Sequence, residues 1–264
     1  MTQAKRNENA SLTVVGAGIK FKSHLTTEAQ AYIKGSDLVL YLVNEPAMRD
    51  WIIRNSRRSE SLNRLYNAYP LRNDCYNAMT AYVLTELRKD QHVCFVLYGH
   101  PTIVAKPGVK AATQARAEGF HTKILPGISA EDCLFADLMI NPTETGYLSY
   151  EATDFLVYLR ILDSRCYVVL WQAGIIGALG YPAQHDNSDG ISLLTKRLMQ
   201  FYDAEHKIYL YEAAQYPHIE PLITTIKLGE LQNSACSPIT TLCIPPAQKS
   251  LPNVEMLKAL RIAT

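Results

Sequence analysis

Ser11-Leu12-Thr13-Val14-Val15-Gly16-Ala17-Gly18 is followed, after a short loop, by Thr26-Thr27-Glu28-Ala29-Gln30-Ala31-Tyr32-Ile33-Lys34-Gly35 and then by Leu38-Val39-Leu40-Tyr41-Leu42-Val43. The first run is apolar, rich in β-branched residues, and stops at a glycine turn, so it predicts a strand over 11–15. The second predicts a helix: Thr27 with Gln30 fits a capping box, and Gly35 fits a helix C-cap. The third is continuously apolar without polar alternation, the pattern of a strand covered on both faces. Strand, glycine turn, helix, strand is a βαβ unit, which implies a parallel sheet flanked by helices.

The alternation continues outward from this unit. Helices are predicted over 47–56, 73–89 and 109–118, and strands over 92–97 and 122–125. At Pro126-Gly127 the chain turns. Ser129 is a good N-cap for a helix over 130–138, whose first turn carries Glu131 and Asp132, favourable at a helix N-terminus. The later segment predicts strands over 167–171, 207–212 and 239–244, and helices over 191–202 and 254–262. The fold class is α/β, with one lobe over 1–125 and a second over 126–264.

Composition narrows the function. The chain has 264 residues, 48% hydrophobic and 19% charged, enough for a sizeable core without disulfide or metal staples. Its net charge of +1, from 26 basic and 25 acidic side chains, argues against a nucleic-acid partner, which favours a basic excess. The dense basic cluster, Arg54, Arg57 and Arg58 with Arg64 nearby, reads as a solvated helix face, with contact to an anionic partner as the alternative. The six cysteines include no C-x-x-C pair, and most sit beside apolar residues, so they read as small buried hydrophobes of a reduced compartment, with no metal site. Residues 1–10 lack an apolar signal core and no apolar run is long enough for a bilayer, so a cytoplasmic protein without membrane contact is expected.

Gly16-Ala17-Gly18 at a strand end is an incomplete dinucleotide fingerprint. Phe21 stands where a third glycine belongs, and the helix begins too late to offer its N-terminus to a pyrophosphate. A glycine turn without a phosphate cradle suits a phosphate-free ligand.

Val14-Val15-Gly16-Ala17-Gly18, Leu25-Thr26-Thr27-Glu28-Ala29, Asp37-Leu38-Val39-Leu40-Tyr41, Tyr98-Gly99-His100-Pro101 and Pro126-Gly127-Ile128-Ser129-Ala130, in that order, resemble the tetrapyrrole methylase-like (class III) superfamily. The resemblance runs from about Ser11 to Pro246. It implies two α/β lobes with S-adenosylmethionine folded in the cleft between them, S-adenosylhomocysteine as product, and a homodimer. Carried over motif by motif, it implies that Gly16 and Gly18 line the cleft. Tyr98, Gly99, His100, Pro101 and Val104 would hold the methionine end. Ser129 and Ala130 would assist, with Trp171, Gln172, Tyr211 and Glu212 contributing from second-lobe loops. Thr102 departs from the glycine expected after His-Pro. His100 belongs to a cofactor loop in this resemblance, which weighs against it as a general base.

Sixteen tyrosines is a high count, and Tyr66, Tyr69, Tyr76 and Tyr82 cluster around Arg72. With a helix starting near Arg72, that residue and Tyr76 share a face with Met79, Val83 and Leu87. Such a stripe is also what core packing with satisfied hydroxyls looks like. However, Arg72-Asn73-Asp74-Cys75-Tyr76-Asn77-Ala78-Met79 is similar to the borosin peptide backbone N-methyltransferases. So are the segment from Pro126 to Leu138, the stretch Tyr150–Leu156 and the stretch Thr240–Ala247. There the residues matching Arg72, Tyr76, Tyr66 and Tyr98 form the methylation site.

The residue types suit that chemistry. An amide nitrogen is a poor nucleophile because its lone pair is delocalised, so the N–H proton must leave while charge builds on the oxygen. A permanently charged Arg72 can stabilise that oxygen. A tyrosine beside a cation favours its phenolate. Tyr76 is therefore the candidate base, directly or through water, with Tyr66 orienting it and Tyr98 positioning the amide. A split borosin enzyme acting on a precursor peptide in trans is expected, since after Pro245-Pro246 little sequence follows. Tetrapyrrole C-methylation is the alternative enzyme reading, an rRNA-methylating relative is disfavoured by charge, and a binding subunit without activity is the non-enzymatic reading.

Overall fold

The computed structural model describes residues 10–180 and 187–262. They group into two compact units. The first holds 10–139 with 178–180 and 213–222, and the second holds 140–177, 187–212 and 223–262. The helix capped by Ser129, placed in the second lobe by the sequence division at 125/126, groups with the first unit.

In the first unit the chain runs β1 (Ser11–Gly16), α1 (Thr27–Gly35), β2 (Leu38–Leu42), α2 (Pro46–Asn55), β3 (Ser59–Ser61), α3 (Arg64–Ala68), α4 (Arg72–Leu87), β4 (His92–Leu97), α5 (Lys106–Ala117), β5 (His121–Leu125) and α6 (Ala130–Asp137). Its sheet has the order β3-β2-β4-β1-β5, and every pairing is parallel. Parallel pairing follows from βαβ connections, which return each strand in the same direction. Because side chains alternate along a strand, Leu12 and Val14 of β1 join one core cluster and Val15 joins another. Helices α4 and α5 cover the first face and α1 and α2 the second. The α4 stripe Met79, Val83 and Leu87 is fully buried, each side chain contributing about 1.5–3 kcal/mol by leaving water.

The second unit contains α7 (Pro142–Thr145), β6 (Tyr147–Glu151), α8 (Ala152–Val157), β7 (Tyr167–Trp171), α9 (Ser188–Leu198), β8 (Lys207–Glu212), β9 (Leu222–Lys227), β10 (Thr241–Ile244) and α10 (Val254–Ala259). Its sheet is mixed, with order β6-β7-β10-β8-β9: β6–β7 is parallel, while β10 runs antiparallel to both β7 and β8. Phe155, Val168, Leu170, Leu194, Leu198 and Leu242 are the centre of its core.

Local capping differs in detail from the sequence reading. Thr26, not Thr27, caps α1 by accepting from the Ala29 amide, and Ser36 closes it, so Gly35 is an ordinary last residue of the helix. Ser129 caps α6 as expected, in a reciprocal capping box with Asp132. No helix among the described residues is long and apolar enough to cross a membrane.

Candidate active site

The strand-end loops of the first unit are joined backbone to backbone. Gly18 N donates to Gly99 O at 3.2 Å, Gly99 N donates to Gly18 O at 3.1 Å, and Ala17 N donates to Leu97 O at 2.7 Å. Gly18 and Gly99 both have positive φ, +72° and +70°, a region where glycine carries no steric cost. A Cβ on Gly16 would sit 2.2 Å from Gly99 O, 3.0 Å from Pro101 Cδ and 3.2 Å from Gly127 Cα. Gly16 is thus required for the close approach of three loops; its side does not open onto free space.

The Tyr98–Val104 loop is tied further along. His100 Nδ1 accepts from the Thr102 amide at 3.2 Å and lies 3.0 Å from its hydroxyl. Accepting an N–H commits Nδ1, so the neutral ring carries its proton on Nε2. Thr102, the departure from the expected glycine, therefore braces the loop. It also occupies the nitrogen that a general base at His100 would use. Val104 is exposed and left-handed at φ +51°, a position that costs a β-branched residue about 1–3 kcal/mol. Ser129 is buried, and its hydroxyl and amide both donate to Asp132 Oδ2, at 2.6 and 2.7 Å. What it offers a ligand is accordingly limited by its role as cap.

The tyrosines separate into two groups. Tyr66 on α3 meets Tyr76 on α4 edge-on, with centroids 6.5 Å apart, and both pack against the core beneath. Arg72 is the first residue of α4, one turn before Tyr76. Its Nη2 donates to Gly180 O at 3.3 Å, and its amide donates to Leu179 O at 2.8 Å. Tyr82, in contrast, gives its hydroxyl to Glu60 at 2.6 Å, and Tyr69 is exposed. Tyr98 is 39% exposed as a residue, with its phenol the more buried part. Burial, partly offset by a Gln215 hydrogen bond, pushes that phenol up to about 12, so at neutral pH it is a donor and not a base.

Two residues here gave no signal in sequence. Glu45 is buried, caps α2 through the Ala47 and Met48 amides at 2.9 and 2.5 Å, and accepts the Tyr216 hydroxyl at 2.5 Å. Gln215 adjoins that tyrosine. The basic cluster is also resolved: Arg57, Arg58 and Arg64 pair with Asp37, Glu86 and Glu60 at 3.2, 3.7 and 2.7 Å, consistent with a solvated, charge-balanced face.

The second unit presents its own loop cluster. Trp171 Nε1 donates to Ser149 at 2.7 Å, and Gln172 is left-handed at φ +60°. Tyr211 is buried. Glu212 Oε1 accepts hydroxyls from Ser237 and Thr240, each at 2.6 Å. All six cysteines are free thiols, five of them buried. Among the described residues no group of three or more His, Cys, Asp or Glu is placed to hold a metal ion.

The loops 16–18, 98–104 and 127–130 contain no Lys or Arg. Their polar groups are backbone amides and carbonyls, hydroxyls and one imidazole, and α1 begins well beyond the glycine turn. That donor set fits a phosphate-free cofactor bearing a sulfonium and poorly fits a nucleotide. Residues 11–231 match the family of tetrapyrrole (corrin/porphyrin) methylases. The chain belongs to that family. This methylase is 34% identical over 259 residues to a methyltransferase/ribosomally synthesized cyclic peptide lentinulin A precursor of Lentinula edodes, covering 97% of this chain and 62% of the relative. It is 37% identical over 262 residues to a type I borosin cyclic peptide precursor with methyltransferase of Coprinopsis marcescibilis, covering 96% and 67%. The methylase thus spans about three-fifths to two-thirds of the length of these fused relatives. Among solved structures, it resembles uroporphyrin-III-C-methyltransferase from Thermus thermophilus, with TM-score 0.64, 15% identity, and 97% and 98% of the two chains covered. Diphthine synthase gives TM-score 0.63 at 14% identity, with 91% and 92% covered. At such identities the likeness is one of fold.

Proposed function

We propose that this methylase transfers methyl groups from S-adenosylmethionine to backbone amide nitrogens of a peptide presented as a separate chain, in the cytoplasm and as a homodimer. The observation that carries the reading is the Tyr66–Tyr76 pair one turn from Arg72, in a chain whose relatives are named as methyltransferases joined to cyclic peptide precursors. Gly18, the Tyr98–Val104 loop, Ser129 and Ala130 are assigned to the cofactor, and the resemblance assigns Trp171, Gln172, Tyr211 and Glu212 to it as well. Gly16 serves by holding the loops together.

When bound, the cofactor supplies an electrophilic methyl group on sulfur. Arg72 donates to the substrate amide oxygen and stabilises the negative charge that grows there as the proton leaves. Tyr76, acting as its phenolate, accepts that proton, directly or through one water, and Tyr66 fixes the direction of the Tyr76 ring. Tyr98, protonated at neutral pH, holds the amide by a donated hydrogen bond. Aligning nitrogen, methyl carbon and sulfur supplies a large part of the acceleration.

Incubating the purified chain with S-adenosylmethionine and a separately supplied precursor peptide tests this. Successive single-methyl mass increments, located to backbone nitrogens by fragmentation, are the expected result. Methylation of a porphyrinoid with no peptide product would instead support the tetrapyrrole alternative.

A further inference from the structure

Helix α4 begins at Arg72 without a local cap: Leu71 precedes it and makes no side-chain hydrogen bond to the first turn. The Arg72 amide is one of those at a helix start that find no partner inside the helix. It donates instead to Leu179 O at 2.8 Å. The next carbonyl of the same segment, Gly180 O, accepts from Arg72 Nη2 at 3.3 Å. Two consecutive peptide carbonyls therefore hold the backbone and the guanidinium of one arginine. Residues 178–180 group with the first unit, as α4 does. Leu179 is 73% exposed, so its side chain adds little packing and the grip on Arg72 is made by backbone.

We propose that Gly180 is a positioning residue for the methylation site: carrying no side chain, it lets its carbonyl reach Arg72 and set the direction of the guanidinium. The proposal rests on Arg72 belonging to that site. A Cβ at position 180 would lie 2.6 Å from Pro70 O, well inside van der Waals contact and against a backbone atom that no rotamer change can move. Pro70 stands two residues before Arg72, so any side chain at 180 would push its peptide away from the segment that leads into α4. The contact matters because arginine has a long side chain with many rotamers to lose. The guanidinium is a rigid plane, so anchoring Nη2 orients the whole fork. Misplacing such a group by about 1 Å can cost about 10²-fold in rate.

The experiment compares wild type, Gly180→Ala, Arg72→Ala and the double variant. Each protein is assayed for kcat and KM on a separately supplied precursor peptide, and for S-adenosylmethionine affinity by calorimetry. The charge assigned to Arg72 grows only as the amide proton leaves, so lost alignment should appear in kcat and not in KM. Gly180→Ala should lower kcat about ten-fold, the order set by one hydrogen bond, with KM and cofactor affinity within about two-fold. In the Arg72→Ala background it should add no further loss. The contact itself is read in the wild type by 15N–13C dipolar recoupling on protein labelled with 15N-arginine and 13C′-glycine. A guanidinium–glycine signal that disappears in Arg72→Ala is expected. Absence of that signal, an unchanged kcat in Gly180→Ala, or an equal loss of kcat with and without the Arg72 side chain overturns the proposal. Should Gly180→Ala fail to fold, the wild-type recoupling decides. If the wild type methylates no peptide, the functional reading fails separately, and the same signal still decides whether Gly180 holds Arg72.

Discussion

Tyr66 and Tyr76 sit on different helices, yet their rings meet at 79° with centroids 6.5 Å apart. The edge of one ring is directed at the face of the other, an arrangement worth about 0.5–1.5 kcal/mol beyond the area it buries. Both rings also pack on the core that contains Met79 and Val83. The core-packing reading and the functional reading are therefore compatible: the rings are held against the core, yet both residues remain only half-buried.

This predicts that Tyr76→Phe removes the acceptor without disturbing its support. Peptide kcat should fall by about 10²–10⁴, the range for a lost general base. Arg72→Ala should cost about 10²–10³, as for a lost oxyanion donor. In both variants circular dichroism and cofactor affinity should stay close to wild type. Near wild-type turnover in either would remove these residues from the chemistry.

Gly16 gives a second prediction. Alanine there would place its Cβ 2.2 Å from the Gly99 carbonyl oxygen, and backbone cannot rotate aside as a side chain can. Overpacking of this kind costs about 1–3 kcal/mol, or a fall in Tm of about 2–4 °C per kcal/mol for a chain of this size. Cofactor affinity should fall with it, because the Gly18–Gly99 bridge adjoins the clash. Calorimetry of Gly16→Ala showing both properties intact would mean the loops are free to separate.

The central strands were legible because they are short, apolar and bounded by turn residues: 92–97, 167–171 and 207–212 match β4, β7 and β8 end to end. The edge strands β3 and β9 were not. Ser59–Ser61 is polar throughout, and β9 is exposed along most of its length, so neither has the hydrophobic pattern that marks a buried strand. Helix α3 is only five residues long, too short for periodicity to register. In the site, the Arg72–Tyr76 spacing was readable because a helix fixes it. The Glu45–Tyr216 bond was not readable, since its partners are 171 positions apart and only the tertiary fold brings them together. Likewise, a glycine turn at Gly16 was visible in sequence, whereas the carbonyl it must accommodate belongs to Gly99.

The Glu45–Tyr216 bond sets a pH dependence. Burial alone would raise the Glu45 carboxyl, but the Tyr216 hydroxyl, the Ala47 and Met48 amides and Arg49 outweigh it and hold the group below its ordinary value. A depressed carboxyl adds stability that is present above the unfolded value and is lost as pH falls through the folded one. Tyr216→Phe removes one of the groups that hold it down, so its acid-unfolding midpoint should move to higher pH. The stability difference from wild type should be present at neutral pH and should shrink in strong acid, where both carboxyls are protonated. Coincident acid-unfolding curves would show that the bond contributes nothing.

Gly174 tests the second unit in the same terms. A Cβ there would fall 1.9 Å from Ser237 O and 2.9 Å from Cys236 O, both backbone atoms. The Ser237–Thr240 turn that would have to move is the one whose two hydroxyls fix Glu212. Its other side is tied to the Gln172 loop by the Ala173 amide, which donates to Thr240 O at 3.1 Å. Gly174→Ala should therefore disturb both loops assigned to the cofactor and lower its affinity by about ten-fold or more, whereas Thr240→Val, which removes one hydroxyl and leaves the backbone in place, should have a smaller effect of about 1 kcal/mol. The order of the two effects is the informative quantity: if Thr240→Val weakens binding more than Gly174→Ala does, the Glu212 hydrogen bonds, and not the packing of the two loops, shape this loop cluster.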